Sequence, residues 1–237
     1  KILIMSSMGK TLISSYARVK PLGKGYSDKD GGTKSGKRIT GWDEGKGEIS
    51  INNEVYNHMK ATLPPEATQV QCYDVICKPL VEKWLEGYDC DLLSYGQTGS
   101  GKTYTMLGND VHDDESRGII PRIVDSLFRR ITSEREKGIA TFSVVASYIE
   151  IYNDVLNDLL NPFLSSGHEK AKLKIREHPT LGIYVEGTEE IAVRSAKDLI
   201  ALLEKGNKFR KIAETKMNQR SSRSHTCLTV RIEQRRR

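Results

Sequence analysis

Residues 96–103 read GQTGSGKT, which is the phosphate-binding pattern G-x-x-x-x-G-K-[ST]. Each residue type in it has a task on a nucleoside triphosphate. Gly96, Gly99 and Gly101 carry no Cβ, so the backbone can turn sharply and point its N–H groups at phosphate oxygens. Lys102 can reach the β- and γ-phosphates, and the Thr103 hydroxyl can meet Mg²⁺. A second polar run, NQRSSRSH, fills residues 218–225. Asn218 and the hydroxyls of Ser221 and Ser222 suit the γ-phosphate side, where water and metal must be held. Arg223 can carry an ionic latch. A plain polar loop would also account for the polarity. It would not account for the run's place between a helix and an apolar strand in a phosphate-loop chain.

These groups need a scaffold, and the surrounding pattern predicts one. Asp91–Tyr95 is strand-like, and Thr103–Leu107 can begin a helix whose N-terminus faces the phosphates. Thr11–Lys20 reads as a first strand closed by Pro21. Residues 23–47 read as a surface excursion, and 39–42 near its end can pair with 48–51 just after it as a hairpin. Thr68 caps a helix over 69–88, with apolar residues at helical spacing. A helix opens near Gly118 and runs to about residue 131, with Pro121 in its first turn. Residues 140–152 alternate as a strand, and 154–160 are expected to begin a short helix. Residues 172–176 and 182–185 form a hairpin around His178-Pro179, and Ser195 caps a helix running toward Met217. Residues 226–232 are a final strand. Strands alternating with helices predict an α/β fold with a central, mostly parallel sheet flanked by helices.

The chain has 237 residues, enough for one large domain with a core, and a net charge of +6. That balance suits an acidic partner: a nucleic acid, a nucleotide or an acidic protein surface. No run of about 18 apolar residues occurs, so no membrane span is expected. The opening segment is too short for a signal peptide. Cys72, Cys77, Cys90 and Cys227 form no C-x-x-C pair and predict reduced thiols in an intracellular protein. The five histidines show no metal-ligand spacing. The carboxylates between Asp110 and Glu115 lack the spacing of a calcium loop and read as an exposed acidic loop.

Several motifs in order resemble the kinesin motor domains. Residues 17–22 (ARVKPL) resemble the family's R-x-R-P strand end, with Lys20 where the second Arg is usual. KPLVEK at 78–83, EGY at 86–88, SYGQTGSGKTYTM at 94–106, RGIIPR at 117–122 and SYIEIYN at 147–153 are similar to kinesin segments. AETKMN at 213–218 leading into SSRSH at 221–225 resembles the family's first switch. Phe209 and Asn57 depart from the pattern. The resemblance implies a kinesin-like P-loop NTPase over residues 12–237 with an N-terminal extension at 1–11. It implies ATP or ADP and Mg²⁺ as ligands. Gly96, Gln97, Thr98, Gly99, Ser100, Gly101, Lys102 and Thr103 would bind phosphates, while Arg18, Pro21 and Tyr104 would flank the adenine. Asn218, Ser221 and Ser222 would serve γ-phosphate, water and metal, with Thr103 and Ser222 as the metal contacts. Arg223 would pair with a glutamate of the second switch.

That second switch, D-L-A-G-S-E in the family, should follow the strand at 226–232. No D-x-x-G occurs after Asn218 before the sequence stops at Arg237, so the expectation is a motor domain incomplete on its C-terminal side. Of the usual filament contacts, only the hairpin near His178–Gly182 falls within these residues. The implied function is an ATP-driven microtubule motor of the cytoplasm and cytoskeleton, binding tubulin and no nucleic acid. Dimerisation would have to use segments outside this sequence. Two other readings stay open: a different phosphate-loop nucleotidase, and a non-motile kinesin-like module that binds nucleotide or filament without ATPase activity.

Overall fold

The computed structural model of the chain describes residues 2–7, 13–21, 39–43, 45–161, 173–179, 182–216 and 224–236. The chain forms two compact units, Lys1–Ser126 and Leu127–Arg237.

The first unit is built on a four-stranded sheet. Its strands are β1 (Ile2–Ser7), β2 (Ser14–Arg18), β6 (Ala61–Leu63) and β7 (Cys90–Tyr95), in the order β6-β2-β1-β7. β1 lies antiparallel between β2 and β7, with Ile4 opposite both Ser15 and Leu93. Part of the segment expected as an N-terminal extension is therefore a strand inside the sheet. β2 and β6 run parallel. A separate three-stranded sheet joins β3 (Ile39–Asp43), β4 (Glu48–Ile51) and β5 (Glu54–Tyr56). Asn52 and Asn53, with φ of 50° and 68°, make its second turn, because asparagine tolerates the left-handed region.

The helix expected over 69–88 is interrupted. α1 (Gln69–Cys72) is capped by Thr68, whose hydroxyl accepts from the Gln71 N–H while the Gln71 side chain accepts from the Thr68 N–H. A wider π-helical stretch (Tyr73–Cys77) follows, then α2 (Lys78–Leu85). Pro79 is the physical cause. It has no N–H to give the Val75 carbonyl and its ring crowds that carbonyl, so the ladder widens ahead of it. The buried face of these turns, Cys72, Ile76, Cys77 and Leu80, packs with Tyr16, Leu63, Ala67 and Ile119 into a core. After β7 come α3 (Lys102–Met106) and α4 (Ile119–Glu136), and α4 runs past the boundary between the units.

In the second unit, β8 (Ala140–Tyr152) is central. β13 (Ser224–Arg236) pairs with it along its whole length, and β9 (Val155–Asp158) and β12 (Ile191–Ala192) also pair with it. Val144, Ala146, Tyr148 and Glu150 are buried at alternate positions of β8. The helix expected at 154–160 is β9 instead. Asn153 and Asp154, with φ of 49° and 59°, form a tight hairpin turn that sends the chain back along β8. β10 (Lys174–His178) and β11 (Gly182–Glu186) form the expected hairpin. α5 (Ala196–Lys216) begins after Ser195, whose hydroxyl accepts from the Asp198 N–H.

The α/β class holds, but the sheets are mixed rather than mostly parallel. Among the described residues only β2 and β6 pair in parallel. Several connections are short hairpin turns, which force antiparallel neighbours.

Candidate functional site

β7 delivers the chain into the loop at 96–103. Gly99 and Gly101 take φ of 79° and 90°, values that cost an L side chain strain. A Cβ built on either would meet no atom of the other described residues within 4 Å, so the glycines are required by the turn and the space above it is open. Within the loop the Ser100 N–H donates to the Gln97 carbonyl at 3.2 Å. α3 starts immediately after Gly101, as expected.

Two ammonium groups converge on this loop. Lys102 Nζ donates to the carbonyls of Gly96 (2.6 Å) and Gln97 (3.0 Å), and Lys20 Nζ donates to the Gly99 carbonyl at 2.9 Å. Lys20, the departure from the family's arginine, thus works on the loop itself. Gln97, Thr98, Gly99 and Thr103 are exposed. The Ser100 hydroxyl is shielded and has no hydrogen-bond partner among the described residues. An anionic ligand that accepts hydrogen bonds fits this set: open glycines, two cations and a hydroxyl with unspent capacity.

Beside the loop, Arg18 is buried at the end of β2. It donates to Gln69 Oε1 (2.8 Å), Thr105 Oγ1 (2.9 Å) and the Ala67 carbonyl (3.1 Å). Its guanidinium lies over the Tyr104 ring, 5.2 Å from the centroid, and Tyr104 is 40% exposed. Pro21 is exposed beside Lys20. The structure therefore brings Arg18, Lys20, Tyr104 and the phosphate loop into one neighbourhood of the first unit. Asn218, Ser221, Ser222 and Arg223 lie outside the described residues. Of that run, Ser224 and His225 begin β13, and Ser224 Oγ accepts from Arg210 Nη2 at 3.0 Å.

The acidic loop serves its own turn. The Ser116 hydroxyl and the Ser116 and Glu115 N–H groups donate to Asp113, holding its carboxyl below the ordinary aspartate range. Arg117 pairs with Asp114 at 2.8 Å and with Asp125. No group of metal-ligating side chains occurs among the described residues. No described helix is long and apolar enough to cross a membrane.

Sequence reasoning missed Gln69 and Thr105, both buried. A signal for Gln69 existed: it is a polar residue in helical phase with Cys72, Ile76 and Leu80, on the face that packs the core.

A strand, a glycine-rich phosphate loop and a helix within an α/β scaffold define a phosphate-loop nucleotide-binding protein. The family model "Kinesin motor domain" matches residues 18–237, and the chain belongs to the kinesin family. It is 42% identical over 173 residues to "Kinesin-like protein unc-104" of Caenorhabditis elegans, covering 73% of this chain and 10% of that protein. It is 40% identical over 191 residues to "Kinesin-related protein 3" of Dictyostelium discoideum, covering 78% of this chain and 15% of that one. A solved structure described as that of "a fast kinesin" superposes with a TM-score of 0.79 at 31% identity, over 93% of this chain and 59% of the other. The chain thus spans only a small part of the curated relatives it matches.

Proposed function

We propose that this chain is the nucleotide-binding part of a microtubule motor that couples ATP hydrolysis to movement along the filament. The phosphate loop carries the reading, with the Lys102 and Lys20 ammonium groups on its carbonyls and Arg18 and Tyr104 beside it. Family membership supports the class of motion and the filament. Residues 12–237 are proposed as the motor-domain portion. The working place of the whole protein would be the cytoplasm and its microtubules, with any dimer formed through other segments.

In this reading Lys102 exchanges the Gly96 and Gln97 carbonyls for β- and γ-phosphate oxygens, which are stronger, charged acceptors. The loop N–H groups at 96–103 and the Ser100 hydroxyl take the remaining phosphate oxygens. Pro21, Arg18 and Tyr104 form the base side. Thr103 and Ser222 would hold Mg²⁺, which when bound neutralises charge on the phosphates. Asn218 and Ser221 orient the attacking water, whose oxygen bonds to the γ-phosphorus as the bridging bond to ADP breaks. Arg223 latches the segment that carries these groups. Closing and reopening of that segment with γ-phosphate occupancy would set filament affinity.

The test is ATP turnover by the intact protein with and without microtubules. Stimulation is expected. Filament and nucleotide binding without turnover would define a non-motile module instead. Lys102→Ala should weaken ADP binding about a hundredfold, the loss of charge-assisted bonds to phosphate. Unchanged affinity in an equilibrium titration sinks the loop assignment.

A further inference from the structure

Gln69 is the first residue of α1 and is 2% exposed. Both ends of its carboxamide are engaged. Oε1 accepts from Arg18 Nη1 at 2.8 Å, while Nε2 donates to the Tyr104 carbonyl at 2.7 Å and to the Ser116 carbonyl at 3.4 Å. The two ends cannot be exchanged. A guanidinium only donates and a carbonyl only accepts, so the oxygen must face Arg18 and the amino group must face residues 104 and 116.

Arg18 extends the same network to the Thr105 hydroxyl, the Ala67 carbonyl and the face of the Tyr104 ring. Two side chains thus join β2, the start of α1, the first turn of α3 and the loop before α4. α3 has five residues, and so short a helix has little stability of its own. Its setting comes from whatever grips it from outside. The grip falls on Tyr104 and Thr105, directly after Lys102 and Thr103.

We infer that Gln69 is a positioning residue of the nucleotide site, whose carboxamide holds the Tyr104 backbone and, through Arg18, the exposed Tyr104 ring in place to receive the purine base. This rests on the proposed nucleotide function. Gln69 touches no ligand itself; it acts through Tyr104. A glutamine present only to fill volume would be replaceable by methionine without consequence for the base.

The experiment measures binding of Mg·ADP and, by competition, of Mg·tripolyphosphate, which has phosphates and no base. The intact protein is compared with Gln69→Met, Tyr104→Ala and the double variant. Gln69→Met should weaken ADP about tenfold, the loss of a buried hydrogen-bonding group. Tripolyphosphate should change less than about twofold, and Gln69→Met should add less than about twofold once Tyr104 is already alanine. The inference is overturned by unchanged ADP affinity, by equal losses of both ligands, or by a tenfold loss that persists in the Tyr104→Ala background. Should Gln69→Met not fold, Thr105→Val removes one acceptor of Arg18 at nearly constant volume. It should weaken ADP about threefold and spare tripolyphosphate, and no change there overturns the inference equally. Failure of the unsubstituted protein to bind either ligand defeats the nucleotide reading and this inference with it. Normal binding by that protein with no discrimination by the variants defeats the inference alone.

Discussion

Each unit sets an arginine among partners that tie its elements together, buried Arg18 in the first and half-buried Arg210 in the second, and the two are held in different ways. In the first unit Arg18 meets a carboxamide, a hydroxyl, a carbonyl and an aromatic face, all close to the phosphate loop. In the second, Arg210 of α5 faces Glu150, a carboxylate 1% exposed on β8, with Nε 3.6 Å from Oε1, and also donates to Ser224 at the start of β13. The first arrangement spreads one cation over directional partners that fix the setting of a short helix. The second matches charge with charge and ties a helix to two strands. Directional networks position neighbouring groups; a buried ion pair mainly penalises its own disruption.

That contrast yields graded expectations. The largest effect belongs to Arg210→Met, which takes this cation away from the buried Glu150 carboxylate and should cost about 1–3 kcal/mol of stability in denaturant unfolding. Pairing it with Glu150→Gln should recover much of the loss, since the buried negative charge is then gone. If the double variant is as unstable as Arg210→Met, the ion pair is not what holds these elements, and the contrast between the units collapses.

A smaller effect is expected from Lys20→Ala in the first unit. Removing its bond to the Gly99 carbonyl should weaken ADP about two- to fivefold, with the melting temperature nearly unchanged, because the side chain is exposed. A loss as large as that of Lys102→Ala would instead make Lys20 a phosphate ligand in its own right.

The smallest belongs to Asp198 at the start of α5. Its carboxylate accepts from the Arg194 N–H at 2.9 Å and interacts with Ser195, and it is held below the ordinary aspartate range, first by the Arg194 backbone bond. A depressed folded-state value means the stabilisation is present above the unfolded value, about 3.9, and is lost as pH falls through the folded one. Thermal melts should therefore separate the parent from Asp198→Asn near neutrality and bring them together in strong acid. A gap that widens on acidification would reverse that sign.

Much of the fold was legible because its signals are local. Glycines in GQTGSGKT demand a turn, the β-branched alternation of 140–152 demands a strand, and Ser195 with Asp198 marks a helix start. At 154–160 turn chemistry overrides the expected helix: Asn153-Asp154 is a hairpin signal, and both residues take positive φ. The place of β1 in the sheet has no local signal, because six residues say nothing about which strands they will pair with.

By itself, the sequence determined the phosphate loop, the strand and helix on either side of it, and the family resemblance. All of these rest on residue type at close spacing, where backbone sterics act directly. Tertiary structure alone decided that Lys20 grips the Gly99 carbonyl across 79 residues of chain, that Arg18 and Gln69 meet across 51, and that β1 lies between β2 and β7. Such contacts depend on which distant segments bury their apolar faces together, and a polar side chain's partner is settled only when that packing leaves it a single donor or acceptor within reach.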